Sequence, residues 1–172
     1  MRYPSGMAIS VGSKAPDFEL ASHLGGRVRL SSFKDKKYVL VAFHPLAWTP
    51  VCASQMISYQ ENLNWFVEHE THVLGISVDA VPAKAEWASH LGGLSFDLLS
   101  DFHPHGEVAA AFGVGREDGI SERAVFVIDK TGIIVFSKVY DIPQLPDLGE
   151  VKQAIGQLFR PCLLYTSDAA DE

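Results

Sequence analysis

Cys52 stands where the sequence favours a reactive sulfur. It follows the apolar run 39–43, which is typical of a buried strand, and then a short loop, and it falls in the first turn of a helix predicted from about residue 51. A helix N-terminus presents unpaired N–H groups and the positive end of the helix dipole, and both favour the nucleophilic thiolate. A lone cysteine is most often a small buried apolar residue, however, and the spacing alone leaves that alternative open.

The loop before Cys52 supplies further groups for this chemistry. Thr49 lies three residues before Cys52, close enough for its hydroxyl to hydrogen-bond the sulfur or an oxygen of a bound substrate. Pro45 and Pro50 stiffen the loop, and they can shield one side of the sulfur.

The elements that position this loop follow from the hydrophobic pattern. The predicted order is a β-hairpin, then β, α, β, α, β, α, β, β, α. The extended segments are predicted at 15–20, 27–30, 38–43, 73–78, 96–99, 124–128 and 133–139, and the helices at 51–67, 83–91, 106–112 and 150–159. Strand–helix alternation with a late hairpin predicts an α/β fold, with a mixed central sheet and helices on both faces.

Composition bounds the class of protein. The chain has 172 residues, of which 47% are hydrophobic and 20% charged, as expected for one globular domain. No apolar run approaches the roughly 20 residues of a membrane span, and the first residues contain no secretory apolar segment, so we expect a cytoplasmic protein. The net charge of −7 argues against nucleic acid or an anionic membrane as a partner.

The last eleven residues differ in character from the rest. Residues 162–172 read like one translated frame of a transposase sequencing adapter, so we predict a domain at 8–161 followed by a non-native tail. Cys162 would leave with that tail, and Cys52 would be the one authentic cysteine. The alternatives are a native acidic tail and a two-cysteine enzyme in which Cys162 resolves the oxidised sulfur.

The pattern Pro45-x3-Thr49-x2-Cys52 resembles the active-site signature of the peroxiredoxins, the AhpC/TSA family. Segments 15–18, 75–79 and 123–129 are similar to family landmarks in the expected order, and the resemblance covers roughly residues 8–160. Segments 45–47 and 100–106 are most similar to the one-cysteine alkyl hydroperoxide reductase E group of actinobacteria. The resemblance implies a thioredoxin-like fold.

The same resemblance implies a thiol-dependent peroxidase. The Cys52 thiolate would attack the terminal oxygen of hydrogen peroxide or an organic hydroperoxide and become a sulfenic acid. Thr49 would position the peroxide, Arg123 would stabilise the thiolate and the leaving oxygen, and Pro45 would shield the sulfenic acid. The residues alone favour an arginine that extends from a strand edge to solvent, and it is the resemblance that favours the catalytic role of Arg123.

The implied partners are a hydroperoxide, an external thiol or a thioredoxin-like or mycoredoxin-like reductant, and a second copy of the chain in a homodimer. No cofactor or metal is expected, because the sequence lacks a glycine-rich phosphate loop and because the spacing of His103 and His105 does not suit a metal site. The absence of a C-x-x-C pair argues against a dithiol oxidoreductase.

Two positions depart from the family pattern. His44 stands where many members have an aromatic residue, and Gln55 stands where many have a glutamate that helps to hold the arginine. His44 is interpreted as a structural substitution or as a group that tunes local charge. These departures leave a second hypothesis open, a redox sensor or binding protein with low turnover on the same fold.

Overall fold

A computed structural model describes residues 7–158, which form a seven-stranded sheet in the order β2-β1-β5-β4-β3-β6-β7. The strands are β1 (Glu19–Ser22), β2 (Arg27–Arg29), β3 (Tyr38–Phe43), β4 (Thr71–Ser77), β5 (Asp97–Ser100), β6 (Arg123–Ile128) and β7 (Ile134–Tyr140). The helices are α1 (Pro50–Glu61), α2 (Leu63–Glu68), α3 (Val81–His90), α4 (Glu107–Ala111) and α5 (148–158), with a 3-10 turn at Leu30–Phe33.

Strand β3 lies at the centre because its side chains are apolar on both faces. Val39, Val41 and Phe43 pack into one core, and Leu40 and Ala42 pack into the other. The strand pairs in parallel with β4 and antiparallel with β6. A parallel pair needs a crossover connection, which α1 and α2 provide between β3 and β4.

The two cores lie on opposite faces of the sheet, and each is covered by helices. Helix α4 packs Val108 and Ala109 into the first core, and α1, α2, α3 and α5 contribute to the second. The β1–β2 and β6–β7 pairs are antiparallel. The predicted α/β class, mixed sheet, N-terminal hairpin and helices on both faces are therefore confirmed.

The helix predicted at 51–67 is two helices, and this part of the prediction is wrong. Asn62 has non-helical angles, φ −105° and ψ 13°, and its side-chain amide donates to the Ser58 carbonyl at 2.8 Å. Asparagine side chains compete in this way with the backbone pattern of a helix. The restart at Leu63 turns Phe66 into the core, and it leaves Val67 63% exposed.

The carboxyl ends of β3 and β4 meet the start of β6 at one edge of the sheet. Phe43, at the end of β3, is the register partner of Ile76 in β4 and of Ala124 in β6. The loop after β3, the turn after β4 and the first residue of β6 are thereby brought together. This edge holds Cys52 and the groups described below.

Residues 162–172, with Cys162, lie outside the described residues, so the tail assignment and the domain bounds 8–161 stay predictions. Within residues 7–158, no helix combines the length and the apolar character that a membrane crossing requires.

Candidate active site

Cys52 lies in the first turn of α1 and is completely buried. Thr49 is the N-cap residue, with extended angles of φ −115° and ψ 148°, and Pro50 opens the helix. Proline suits the first helical position because its missing N–H would have no partner there. The local sequence therefore fixes the helix start two residues before the sulfur.

The loop that leads into α1 contains a strained residue. Trp48 has φ 68°, a left-handed conformation that a bulky side chain rarely adopts. Its indole N–H donates to the Ala83 carbonyl at 3.2 Å, and its ring packs against His90, so two contacts with α3 hold it in place. The loop conformation around Cys52 therefore depends on α3.

Arg123 occupies the first position of β6 and is only 2% exposed. Its Nη1 donates to Cys52 Sγ at 3.3 Å and to the Gln55 amide oxygen at 3.0 Å, and its Nε donates to the Ile142 carbonyl at 2.8 Å. No carboxylate among residues 7–158 pairs with this guanidinium. The guanidinium therefore contacts the sulfur directly, in a buried site that offers it no described carboxylate.

Gln55 holds Arg123 in place, although the sequence predicted the loss of an arginine partner at this position. Its amide oxygen accepts from Arg123, and its amide nitrogen donates to the Tyr59 hydroxyl at 3.0 Å. Burial raises the pKa of Tyr59 to about 12, so the phenol is neutral. Arg123 is thus fixed by a neutral network, and it lies beside the Cys52 sulfur.

Thr49 does not hydrogen-bond the sulfur. Its hydroxyl donates to the Leu46 carbonyl at 2.8 Å, a bond that closes the loop over three residues. The lone pairs of Thr49 Oγ1 are then left to accept a hydrogen bond. Pro45 is buried at the base of the same loop.

A second polar group lies behind the loop. Asp79, just after β4, accepts at Oδ2 from the Ala47 N–H at 2.8 Å and from the Ser77 hydroxyl at 2.6 Å. Asp79 therefore ties the backbone of the loop to the end of β4.

Ser77 in turn lies beside a buried lysine, Lys84, which was not predicted from the sequence. Lys84 Nζ donates to Ser77 Oγ at 2.6 Å and lies 3.1 Å from His44 Nε2, and both Lys84 and His44 are fully buried. Burial lowers the pKa of Lys84 to about 7; burial, together with the Lys84 charge, holds the pKa of His44 well below its usual value. The sequence contained a signal for the burial of Lys84, because Lys84 precedes Trp87 and Ala88 at the spacing of one helix face.

Comparison with known proteins places this geometry in a family. The AhpC/TSA family matches residues 11–137. Alkyl hydroperoxide reductase E of Mycobacterium tuberculosis is 39% identical over 132 residues, which cover 76% of this chain and 86% of the relative. The chloroplastic 2-cysteine peroxiredoxin of Chattonella marina var. antiqua is 38% identical over 145 residues, 79% of this chain and 73% of the relative.

The solved structures agree. The reduced 2-Cys peroxiredoxin of Plasmodium vivax superposes with a TM-score of 0.82 at 30% identity, covering 89% of this chain and 84% of that one. AhpC of Mycobacterium tuberculosis has a TM-score of 0.79 at 22% identity, over 88% of this chain and 93% of that one, which bears on the fold alone. The chain therefore belongs to the AhpC/TSA family of peroxiredoxins, which are thiol-dependent peroxidases with a thioredoxin-like fold.

Proposed function

We propose that the protein reduces hydrogen peroxide and organic hydroperoxides at Cys52 by a one-cysteine mechanism. The observation that carries this proposal is the 3.3 Å contact between Arg123 Nη1 and Cys52 Sγ, in a buried site where no described carboxylate competes for the guanidinium. A thiolate held in this way is ready to attack, and the same cation can serve the oxygen that leaves.

The reaction begins when the thiolate attacks the terminal oxygen of the peroxide in line with the O–O bond. An S–O bond forms, the O–O bond breaks, and its electron pair leaves on the distal oxygen, which takes a proton and departs as water or an alcohol. Cys52 becomes a sulfenic acid. The peroxide is reduced by two electrons and the sulfur is oxidised by two.

Arg123 can donate hydrogen bonds both to the sulfur and to the oxygen that leaves. Nη1 and Nε are committed to the sulfur, Gln55 and Ile142, whereas Nη2 donates to no group in the described part of the chain. The two N–H bonds of Nη2 are left to donate to a peroxide oxygen. The strength of that donation rises as the leaving oxygen gains negative charge, which is the condition for catalysis.

Thr49 orients the substrate by accepting a hydrogen bond from it. Its own O–H is used on the Leu46 carbonyl, so Oγ1 accepts from the O–H of the peroxide oxygen under attack. That hydrogen bond directs a lone pair of Thr49 at the substrate and places the O–O bond relative to the sulfur. Pro45, buried behind the loop, limits access of water to the oxidised sulfur.

An external thiol returns Cys52 to its reduced state through a mixed disulfide. Cys52 is the one free cysteine in the described residues. The reductant is a small thiol or a thioredoxin-like or mycoredoxin-like protein. Because the sulfur is completely buried, a protein reductant reaches it only after the loop or the first turn of α1 moves.

We further propose a homodimer in the cytoplasm. Three exposed apolar side chains follow parallel strands at the edge that holds Cys52: Leu46 and Trp48 after β3, and Phe102 after β5, the last 54% exposed. Exposed aromatic residues of this kind favour a protein contact. Light scattering on the chain and on Phe102→Ser tests this, since the variant should shift toward monomer.

The functional test is stopped-flow mixing of hydrogen peroxide with the reduced Cys162→Ser chain, in which Cys52 is the only cysteine. Trp48 reports oxidation by its fluorescence. We expect a rate constant well above that of a free thiol, abolished in Cys52→Ser and reduced about 10²–10³-fold in Arg123→Ala. A rate no faster than free cysteine with hydrogen peroxide and with organic hydroperoxides would contradict the proposal and favour the sensor hypothesis.

A further inference from the structure

Lys84 is a full-length lysine side chain in the interior of the protein. It enters from the inward face of α3 beside Trp87 and Ala88 and has no exposed surface. Lysine is almost never fully buried unless it is paired, because an ammonium loses its hydration there. Its position therefore calls for an explanation other than packing.

The partners of Lys84 connect it to the loop that carries Cys52. Lys84 donates to Ser77 Oγ, and the Ser77 hydroxyl donates to Asp79 Oδ2, each at 2.6 Å. The same Asp79 oxygen accepts the Ala47 N–H at 2.8 Å. One unbroken chain of hydrogen bonds thus runs from the ammonium to the backbone between Pro45 and Thr49.

His44 forms the other side of the cluster and leaves a polar atom unsatisfied. Its Nε2 lies 3.1 Å from Lys84 Nζ, and its Nδ1 is buried with no hydrogen-bond partner. If Lys84 donates to Nε2, Nδ1 carries an unsatisfied proton; if Nε2 donates to a neutral Lys84, Nδ1 is an unsatisfied acceptor. Either tautomer costs free energy that an apolar pair would avoid, so stability alone does not account for His44 and Lys84.

Lys84 lies within electrostatic reach of Cys52. Five titratable groups from five surrounding segments interact with Lys84 or His44: His23 after β1, Cys52 on α1, Asp79 after β4, Asp101 after β5 and Arg123 on β6. Burial opposes the ammonium at Lys84, and negative charge at Asp79, at the proposed Cys52 thiolate and at Asp101 favours it. Coupling between two sites is reciprocal, so the proposed thiolate at Cys52 and an ammonium at Lys84 would each favour the other.

We propose that Lys84 is a positioning residue of the peroxidase reaction, a second buried cation that acts together with Arg123 to stabilise the Cys52 thiolate. Ser77 and His44 hold the ammonium in place. The inference rests on the proposed role of Cys52 as the attacking thiolate. It makes the protonation state of an interior lysine, which touches neither sulfur nor peroxide, a determinant of the rate.

The coupling is measured first without any peroxide. In the reduced Cys162→Ser chain labelled with [13C]lysine, one Cε resonance should titrate near pH 7 and be missing in Lys84→Met. In Cys52→Ser the anionic partner is lost, so the midpoint of that titration should move to lower pH. A Lys84 resonance that titrates like an exposed lysine, or a midpoint that Cys52→Ser leaves in place, overturns the inference.

The second measurement is the pH dependence of the stopped-flow rate in Lys84→Met. Below about pH 6 the native lysine is charged, and the variant should react about 5- to 100-fold more slowly; above about pH 9 the native lysine is neutral, and the two rates should converge. Lys34→Met removes an exposed lysine and serves as the matched control. A rate that falls by the same factor at every pH indicates a structural defect, and a rate unchanged at every pH indicates no coupling; both overturn the inference.

These experiments separate the inference from the function on which it rests. If Lys84→Met does not fold, Lys84→Gln replaces it in the kinetics, and the comparison of the parent chain with Cys52→Ser needs neither variant. If the parent chain reacts no faster than a free thiol, the proposed function fails, and the inference fails with it as a statement about catalysis. The NMR midpoints then still report whether Lys84 and Cys52 are coupled.

Discussion

Replacing Lys84 by methionine should stabilise the fold at acid and neutral pH, with a pH dependence that identifies the buried charge as the cause. The pKa of Lys84 falls from 10.5 to about 7 on burial, so the native state binds this proton less tightly than the unfolded state. As pH falls from 10.5 toward 7, unfolded chains take up a proton at Lys84 that native chains do not, and stability decreases. Below about pH 7 both states are protonated and the loss is complete.

The size of the effect follows from the shift. Each pKa unit corresponds to about 1.4 kcal/mol, so a displacement from 10.5 to about 7 destabilises the native state by about 5 kcal/mol at low pH relative to alkaline pH. Methionine is of similar length and carries no charge. The variant loses the hydrogen bonds that Lys84 makes to Ser77 and His44, which costs about 1–3 kcal/mol of unfolding free energy. This cost varies little with pH.

The assay is urea unfolding of the reduced parent chain and of Lys84→Met at a series of pH values. The difference in unfolding free energy should decline by about 4 kcal/mol between pH 6 and pH 10, so that the advantage of methionine at low pH is lost at high pH. Lys34→Met, which removes an exposed lysine, should show no such trend. A Lys84→Met difference that is constant across this range would refute the assignment of a perturbed buried ammonium.

Three further changes test other parts of the structure. Arg123→Lys keeps the charge but loses the planar fork that reaches both the sulfur and Gln55, so the stopped-flow rate should fall about 10²-fold, and a rate close to that of the parent would contradict the geometry. Thr49→Val removes the acceptor oxygen while Thr49→Ser keeps it; serine should retain most of the rate and valine should lose about 10²-fold, whereas equal rates would exclude the acceptor role. Gly75→Ala places a Cβ 2.9 Å from a Leu98 methyl carbon and 3.0 Å from the Met56 sulfur, so it should destabilise the protein by about 1–3 kcal/mol in urea unfolding; unchanged stability would show that the core relaxes around it.

The sequence predicted the environment of Cys52 well because the signals there are local. The apolar run of β3, the prolines of the loop and the helix start at Pro50 all act within a few residues of the sulfur. The apolar pattern at 51–67 continues through Asn62 and predicts one helix. The structure has a break at Asn62, and Val67 faces outward.

The partners of the sulfur could not be derived in the same way. Arg123 lies 71 residues from Cys52 in sequence, and the family resemblance, not its own spacing, suggested their meeting. Gln55 was interpreted as the loss of an arginine partner, yet its amide accepts from Arg123 at 3.0 Å. An amide in place of a carboxylate changes the charge of the site and keeps the hydrogen bond, which residue type alone did not indicate.

The sequence by itself determined that a cysteine would sit in the first turn of a helix behind a buried strand, since backbone geometry, proline and the helix dipole act over one or two turns. The tertiary structure decided which charges the cysteine meets. The pairing of β3 with β6 brings Arg123 to the sulfur, and the packing of α3 brings Lys84 to His44 across 40 residues. Such contacts depend on the order of strands in the sheet and on which helix face is buried, and these are set by the whole chain at once.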